Sequence, residues 1–100
     1  MNETVQALPL LRNLSVTSEE VHYDGIVASQ CHDGTNEYFI WWTGEHANQT
    51  GRPDDRLYHV YLLPDAFEVP NVSSPRELWS LISGFPLIGI TAESLLTRNR

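Results

Sequence analysis

The six-residue run from Tyr38 to Thr43, YFIWWT, constrains the fold more than any other part of the sequence. It is the most apolar and most aromatic stretch of the chain, and such residues favour β-strands. A strand with one face in water alternates hydrophobic and polar residues, whereas neither face of this run is polar. We therefore expect the strand to be covered on both sides, or to leave one aromatic face open for a partner.

Two more strands are predicted around this run. Asp33-Gly34 is a strong hairpin signal, so the strand from Ile26 to Cys31 should pair with a return strand that contains the aromatic run. A third strand is predicted over residues 56–63, where a proline follows directly.

The aromatic strand presents different side chains on its two faces, because neighbouring residues of a strand point in opposite directions. Phe39 and Trp41 share one face, whichever even-numbered turn joins the hairpin. The other face carries Tyr38, Ile40 and Trp42. We expect this second face to be the core and the Phe39 and Trp41 face to be open.

The C-terminal third of the chain predicts two short helices. Ser74 can cap a helix that has Pro75 at its first position and ends at Gly84. An extended apolar connector is expected over residues 85–90, after which Thr91 is expected to cap the second helix.

The predicted fold class is α+β, with a three- to four-stranded antiparallel sheet and two short C-terminal helices on one face of it. The sheet consists of the hairpin 26–43 and the strand 56–63. Residues 1–20 show no clear period, and residues 17–20 are expected to form a turn. The length indicates a single domain over residues 1–100.

The charge balance indicates the type of partner. Thirteen acidic residues against six basic ones give a formal net charge of −7. Nucleic-acid phosphates need a basic surface, so direct binding to nucleic acid is not expected. An acidic surface favours a partner protein with a basic surface.

The N-terminal residues and the cysteine content predict that the protein is located in the cytoplasm. The first residues lack the positive charge and the apolar core of a signal peptide. No run approaches the roughly 18 apolar residues of a membrane span, so no membrane association is expected. The single cysteine, Cys31, excludes an internal disulfide and fits a reducing compartment.

No pattern of residues indicates a catalytic or metal site. The four histidines lack the spacing of metal ligands. Cys31 and His32 are neighbours on a strand and point to opposite faces, so they cannot form a catalytic pair. The glycines are isolated and form no phosphate-binding loop. We expect no enzymatic activity, no metal and no cofactor.

The first hypothesis is a non-catalytic protein–protein interaction module. It would be a small acidic inhibitor, immunity or accessory protein of bacterial or phage origin, related to defence and acting by occlusion of its partner. Tryptophan, tyrosine and arginine supply much of the binding energy at interface centres. The predicted contact residues are three aromatic anchors and a polar rim from the adjoining loop: Phe39, Trp41, Tyr61, Glu45, Arg52, Asp54 and Asp55.

Two alternatives remain open. The protein could instead be a small-molecule-binding or enzymatic domain, with a pocket between the sheet and loop 44–55. Its candidate residues are then Asp24, His46, Tyr58 and His59. A third hypothesis is a subunit of a larger assembly that buries the apolar surplus permanently.

The order of several short motifs resembles small uncharacterised bacterial α+β domains of unknown function, over roughly residues 20–97. The resemblance implies a fold type and no activity. The motifs are Tyr23-Asp24-Gly25, Asp33-Gly34, Trp41-Trp42, the strand 56–63, the helix that ends at Gly84, Ile90-Thr91 and Leu95-Leu96.

Overall fold

A computed structural model describes residues 8–23, 25–46, 55–70 and 74–98 of the protein. Most of this part of the chain is β-sheet, and one α-helix is present among these residues. The elements in chain order are β1 (Ser15–His22), β2 (Ile26–His32), β3 (Glu37–His46), β4 (Arg56–Leu62), α1 (Pro75–Ile82), β5 (Leu87–Ala92), a 3₁₀ turn (Glu93–Leu95) and β6 (Thr97–Arg98).

The six strands form one mixed sheet in the order β5-β4-β3-β2-β1-β6. Neighbouring strands are antiparallel except β1 and β6, which are parallel. The sheet curls into a half-barrel because the segment from Pro9 to Leu14 contacts the strands at both of its ends, β5 and β6. The amide of Leu11 donates to the Ile90 carbonyl at 2.8 Å beside β5, and the Leu14 carbonyl accepts from the Thr97 amide at 2.9 Å beside β6.

Gly89 permits this closure. A Cβ atom at that position would lie 2.8 Å from the carbonyl oxygen of Pro9, a separation that real Cβ atoms essentially never show. The amide of Ile90 donates to the same carbonyl at 2.9 Å. A side chain at residue 89 would therefore push the N-terminal segment away from the edge of β5.

The hairpin of β2 and β3 forms as the Asp33-Gly34 signal predicts. The Asp33 carboxylate accepts hydrogen bonds from the amides of Asn36 and Thr35, at 2.8 and 2.9 Å, and from the Tyr38 hydroxyl at 2.7 Å. These bonds hold the pKa of the Asp33 carboxyl below its ordinary value, with the Asn36 amide as the largest cause. Gly34 has φ +92°, a backbone conformation that suits glycine.

The pairing of β3 confirms the predicted separation of its two faces. Trp41 lies opposite Ala28 and His59, and Ile40 lies opposite Ser29 and Val60. Each face belongs to a separate hydrophobic core. The core inside the half-barrel contains Leu14, Val16, Ile26, Cys31, Tyr38, Ile40, Tyr58 and Val60. The core under the helix contains Ala28, Phe39, Tyr61, Leu63, Leu78 and Ile82.

Helix α1 begins as predicted but covers the other face of the sheet. The Ser74 hydroxyl accepts from the Glu77 amide at 3.2 Å, and Pro75 occupies the first turn. Its buried residues, Leu78 and Ile82, pack on the Phe39 side of the sheet, which was expected to be open. The opposite face is buried as well, because the curl of the sheet closes it.

The predicted α+β class, a three- to four-stranded antiparallel sheet with two helices, is wrong. The expected connector 85–90 is largely strand, because residues from Leu87 onward pair with β4. The expected turn at residues 17–20 is part of β1. Its polar residues suit a strand that, among the described residues, is paired along only part of its outer side. The expected second helix amounts to the three-residue 3₁₀ turn.

No helix within the described ranges is long and apolar enough to cross a membrane.

Candidate functional site: an aromatic groove beside the helix

An open groove of about 520 Å³ lies where β3, β4 and β5 meet the exposed side of α1. Its lining is mainly aromatic and aliphatic. The lining residues are Trp41, Trp42, Thr43, His59, Tyr61, Trp79 and Leu87. We refer to this set as the aromatic groove.

Ring contacts hold the aromatic groove together. The Trp41 and Trp79 rings lie 5.1 Å apart between centroids, at an interplanar angle of 61°. Tyr61 meets Trp79 at 5.9 Å and 79°, and Phe39 meets Trp41 at 6.0 Å. Edge-to-face contacts such as the two made by Trp79 contribute about 0.5–1.5 kcal/mol each beyond the burial of area. The rings therefore form a preorganised surface.

Two of the groove residues expose much of their side chains. Trp79 is 39% exposed and Leu87 is 40% exposed, and within the described residues only Tyr23 is another large hydrophobic side chain with this degree of exposure. Trp79 follows the buried Leu78 by one residue, or about 100° around the helix, so it lies at the border of the buried stripe. Exposed apolar patches of this kind mark interaction sites.

The groove offers few polar groups. The Thr43 hydroxyl is bonded to the Leu57 carbonyl at 3.0 Å. Burial raises the pKa of Tyr61, so its phenol stays neutral at physiological pH. The described part of the chain holds no group of three or more side chains that could bind a metal ion. The groove offers a ligand ring faces and apolar contacts, beside the side chain of His59.

The predicted aromatic anchors differ in their exposure. Phe39 is fully buried under α1, and Tyr61 is 6% exposed at the floor of the groove. Trp41 is half-buried and lines the groove. A ligand in the groove would contact Trp41, whereas Phe39 supports that ring from below.

Two residues of the predicted polar rim lie among the described residues. Glu45 is exposed at the end of β3. Asp55 is 3% exposed, and its carboxylate accepts from the amide and the hydroxyl of Ser94, at 2.8 and 2.6 Å. Asp55 thus fixes the start of the 3₁₀ turn. Arg52 and Asp54 lie outside the described residues.

Three residues of the small-molecule alternative lie among the described residues, in different surroundings. His59 lines the aromatic groove, while His46 is exposed and its ring lies 5.8 Å from Trp42. Tyr58 is fully buried on the barrel side, where its hydroxyl donates to the Ile26 carbonyl at 2.7 Å. Asp24 and the loop residues 47–54 lie outside the described residues.

Sequence reasoning missed Trp79 and Leu87 as groove residues, and it missed Arg56 as a structural centre. The guanidinium of Arg56 is buried and donates to the carbonyls of Ile26 and Tyr23, at 3.1 and 2.9 Å. It also lies 4.2 Å over the ring of Trp42. The position of Trp79 beside the buried stripe was a usable signal, whereas nothing in the sequence indicates the contacts of Arg56.

Comparison of the sequence with protein-family models and with curated proteins gave no match, and comparison of the structure with solved structures gave none either. The resemblance to small uncharacterised bacterial domains therefore stays a prediction.

Proposed function

We propose that the protein is a non-catalytic interaction module that binds another protein through the aromatic groove. The observation that carries the proposal is the partial exposure of Trp79 and Leu87 beside the ring cluster of Trp41 and Tyr61. Tryptophan and tyrosine are enriched among the residues that dominate binding energy at interfaces. Ring contacts already hold these side chains in place, which lowers the entropy lost on binding.

The openness of the groove favours a macromolecular partner. Small-molecule sites enclose most of the ligand surface in a concave pocket. The aromatic groove has a suitable volume of about 520 Å³, yet Trp79 and Leu87 lie at its solvent side and leave it open. A protein partner could cover these side chains, whereas a small ligand would leave much of its own surface in water.

The proposed role is that of a small acidic inhibitor, immunity or accessory protein that occludes its partner. The formal net charge of −7 favours a partner with a basic surface. We also propose that it acts in the cytoplasm of a bacterium or of a phage-infected cell. The single cysteine, Cys31, is buried and free, which fits a reducing compartment.

The test is affinity purification from the source organism with three forms of the protein: wild type, Trp79→Ala and Tyr23→Ala. Tyr23 is a matched control because it is 74% exposed and lies outside the groove. We expect a partner that wild type and Tyr23→Ala recover and that Trp79→Ala loses. Equal recovery by all three forms would refute the proposed site.

A thermal-shift screen with nucleotides, metabolites and metal ions addresses the alternative function. If the groove binds a protein, no ligand in the screen should stabilise the wild type more than it stabilises Trp79→Ala. A metabolite whose stabilising effect disappears in Trp79→Ala would favour a small-molecule site instead.

A further inference from the structure

The outer edge of β1 is largely unpaired within the described residues. β1 has eight residues, and β2 pairs along one edge of it from Ser15 to His22. On the other edge β6 pairs only with Ser15 and Val16. No strand in the described ranges lies against residues 17–22 on that side. The free N–H and C=O groups of such an edge are a template for another strand.

The side chains of this edge are acidic. Glu19 and Glu20 are exposed on consecutive residues of β1. Glu19 already meets one cation, since the Arg98 guanidinium of β6 lies 3.5 Å from its carboxylate. β6 is thus an example within the protein of a strand that pairs with β1 and places an arginine against Glu19.

These features disfavour a second copy of the same edge as the occupant. Antiparallel pairing of two β1 edges would bring Glu19 and Glu20 against their own counterparts, and like charges across a strand pair are destabilising. The negative charge of this edge therefore opposes self-association, whereas a basic strand gains from the same carboxylates.

We propose that the outer edge of β1, residues 17–22, binds an extended, arginine- or lysine-bearing segment of a partner protein, which adds to the sheet as a further strand. Backbone hydrogen bonds supply the affinity, and the carboxylates of Glu19 and Glu20 select for positive charge. This site is distinct from the aromatic groove, since β2 separates β1 from β3. It does not depend on the proposed function of the groove.

The test uses two synthetic peptides of alternating composition, threonine–arginine and threonine–glutamate. NMR measures binding and the hydrogen exchange of individual amides in the full chain. We expect the arginine peptide to slow the exchange of amides within residues 17–22, because a new strand would pair with them. We expect the glutamate peptide not to bind.

Charge variants distinguish binding of the peptide at the outer edge of β1 from its general electrostatic attraction to an acidic protein. Neutralising both carboxylates, Glu19→Gln with Glu20→Gln, should weaken binding of the arginine peptide roughly two- to tenfold. The matched control is Asp65→Asn with Glu68→Gln, which removes the same charge from exposed residues outside the sheet. This control and Trp79→Ala should bind the peptide as wild type does.

Several outcomes would overturn the proposal. Binding without amide protection in residues 17–22 would mean charge attraction alone, and equal weakening by both charge variants would mean the same. No binding of the arginine peptide would also contradict it. Loss of peptide binding in Trp79→Ala would place the peptide in the aromatic groove, which overturns the edge site and supports the groove.

Discussion

Trp41 and Trp42 are neighbours in the sequence but pack on opposite faces of β3, and the contacts on the two faces differ in kind. Trp42 borders the aromatic groove, but it packs against the barrel-side core. There its indole N–H donates to the Glu45 carbonyl at 2.8 Å, and the Arg56 guanidinium lies 4.2 Å from the centre of its ring. Trp41 lies on the helix side, where its contacts are other rings, with Trp79 at 5.1 Å. The barrel side of β3 is held by hydrogen bonds and a cation–π contact, whereas the helix side ends in the partly exposed aromatic groove.

This difference suggests that the barrel side contributes mainly to stability and the helix side mainly to binding. On the barrel side, buried polar groups such as Arg56 and Tyr58 bond to backbone carbonyls, and the loss of one partner leaves the other unsatisfied. On the helix side, Trp79 lies over a core that Leu78 and Ile82 already seal. Substitutions on the barrel side should therefore lower the free energy of unfolding. Substitution of the exposed Trp79 in the aromatic groove should mainly weaken binding of a partner.

The largest effect on stability is expected for Arg56→Met. This change removes the two hydrogen bonds to the Ile26 and Tyr23 carbonyls and the contact with Trp42. The free energy of unfolding should fall by about 3 kcal/mol, because two hydrogen bonds from a charged donor are lost, although the Ile26 carbonyl keeps its bond from the Tyr58 hydroxyl. Urea denaturation followed by tryptophan fluorescence measures it.

The matched control for this prediction is Arg76→Met, since Arg76 is an exposed arginine on α1. Its effect should stay within about 0.5 kcal/mol. Equal stabilities of the two variants would show that the buried guanidinium does not hold the barrel side together.

Alkaline pH should also destabilise the barrel side. Burial raises the pKa of the Cys31 thiol to about 12, and burial, with the charge of Glu93, raises the pKa of the Tyr58 phenol. Both groups are more acidic in the unfolded chain, which therefore binds fewer protons than the folded protein above about pH 9. The stability from the Cys31 thiol is fully present below pH 9 and is lost as pH rises toward 12.

A series of urea denaturation curves from pH 8 to 11 measures this loss. The slope should approach about 1.4 kcal/mol per pH unit for each group that titrates in the unfolded chain alone. Cys31→Ala should make the slope between pH 9 and 10 shallower. A stability that stays constant across this range would contradict the burial of these groups.

A smaller effect is expected at the helix that supports the groove. Ser74→Ala removes the side-chain acceptor of the Glu77 amide, which should cost about 1 kcal/mol. Ser80→Ala is the matched control, because Ser80 lies exposed within α1 and should tolerate alanine. Thermal unfolding compares the two, and a Ser74→Ala variant as stable as Ser80→Ala would show that the cap is not important.

Three local signals of the sequence predicted local structure correctly. The Asp33-Gly34 turn, the alternation around Trp41 and the Ser74-Pro75 helix start each depend on a few adjacent residues, and each is confirmed. The unbroken aromatic run predicted a β3 that is covered on both faces or open on one. Both faces prove to be covered, so the expectation of an open Phe39 face was wrong.

Long-range pairing could not be predicted in the same way. β5 exists because residues from Leu87 onward pair with β4, and the half-barrel closes because Gly89 admits the Pro9 carbonyl. These contacts join residues far apart in sequence, and neither has a local pattern. The choice of sheet face by α1 has the same origin, so Phe39 proved to be buried under the helix while Trp79 joined the groove.

The most direct test of the groove is a paired measurement on Trp79→Ala, using the partner obtained by affinity purification. We predict that the dissociation constant rises about thirtyfold or more, since loss of a binding anchor costs on the order of 2 kcal/mol. The free energy of unfolding should fall by only about 1 kcal/mol, because Trp79 is 39% exposed. An unchanged dissociation constant in a folded Trp79→Ala variant would contradict the assignment of the aromatic groove as the binding site.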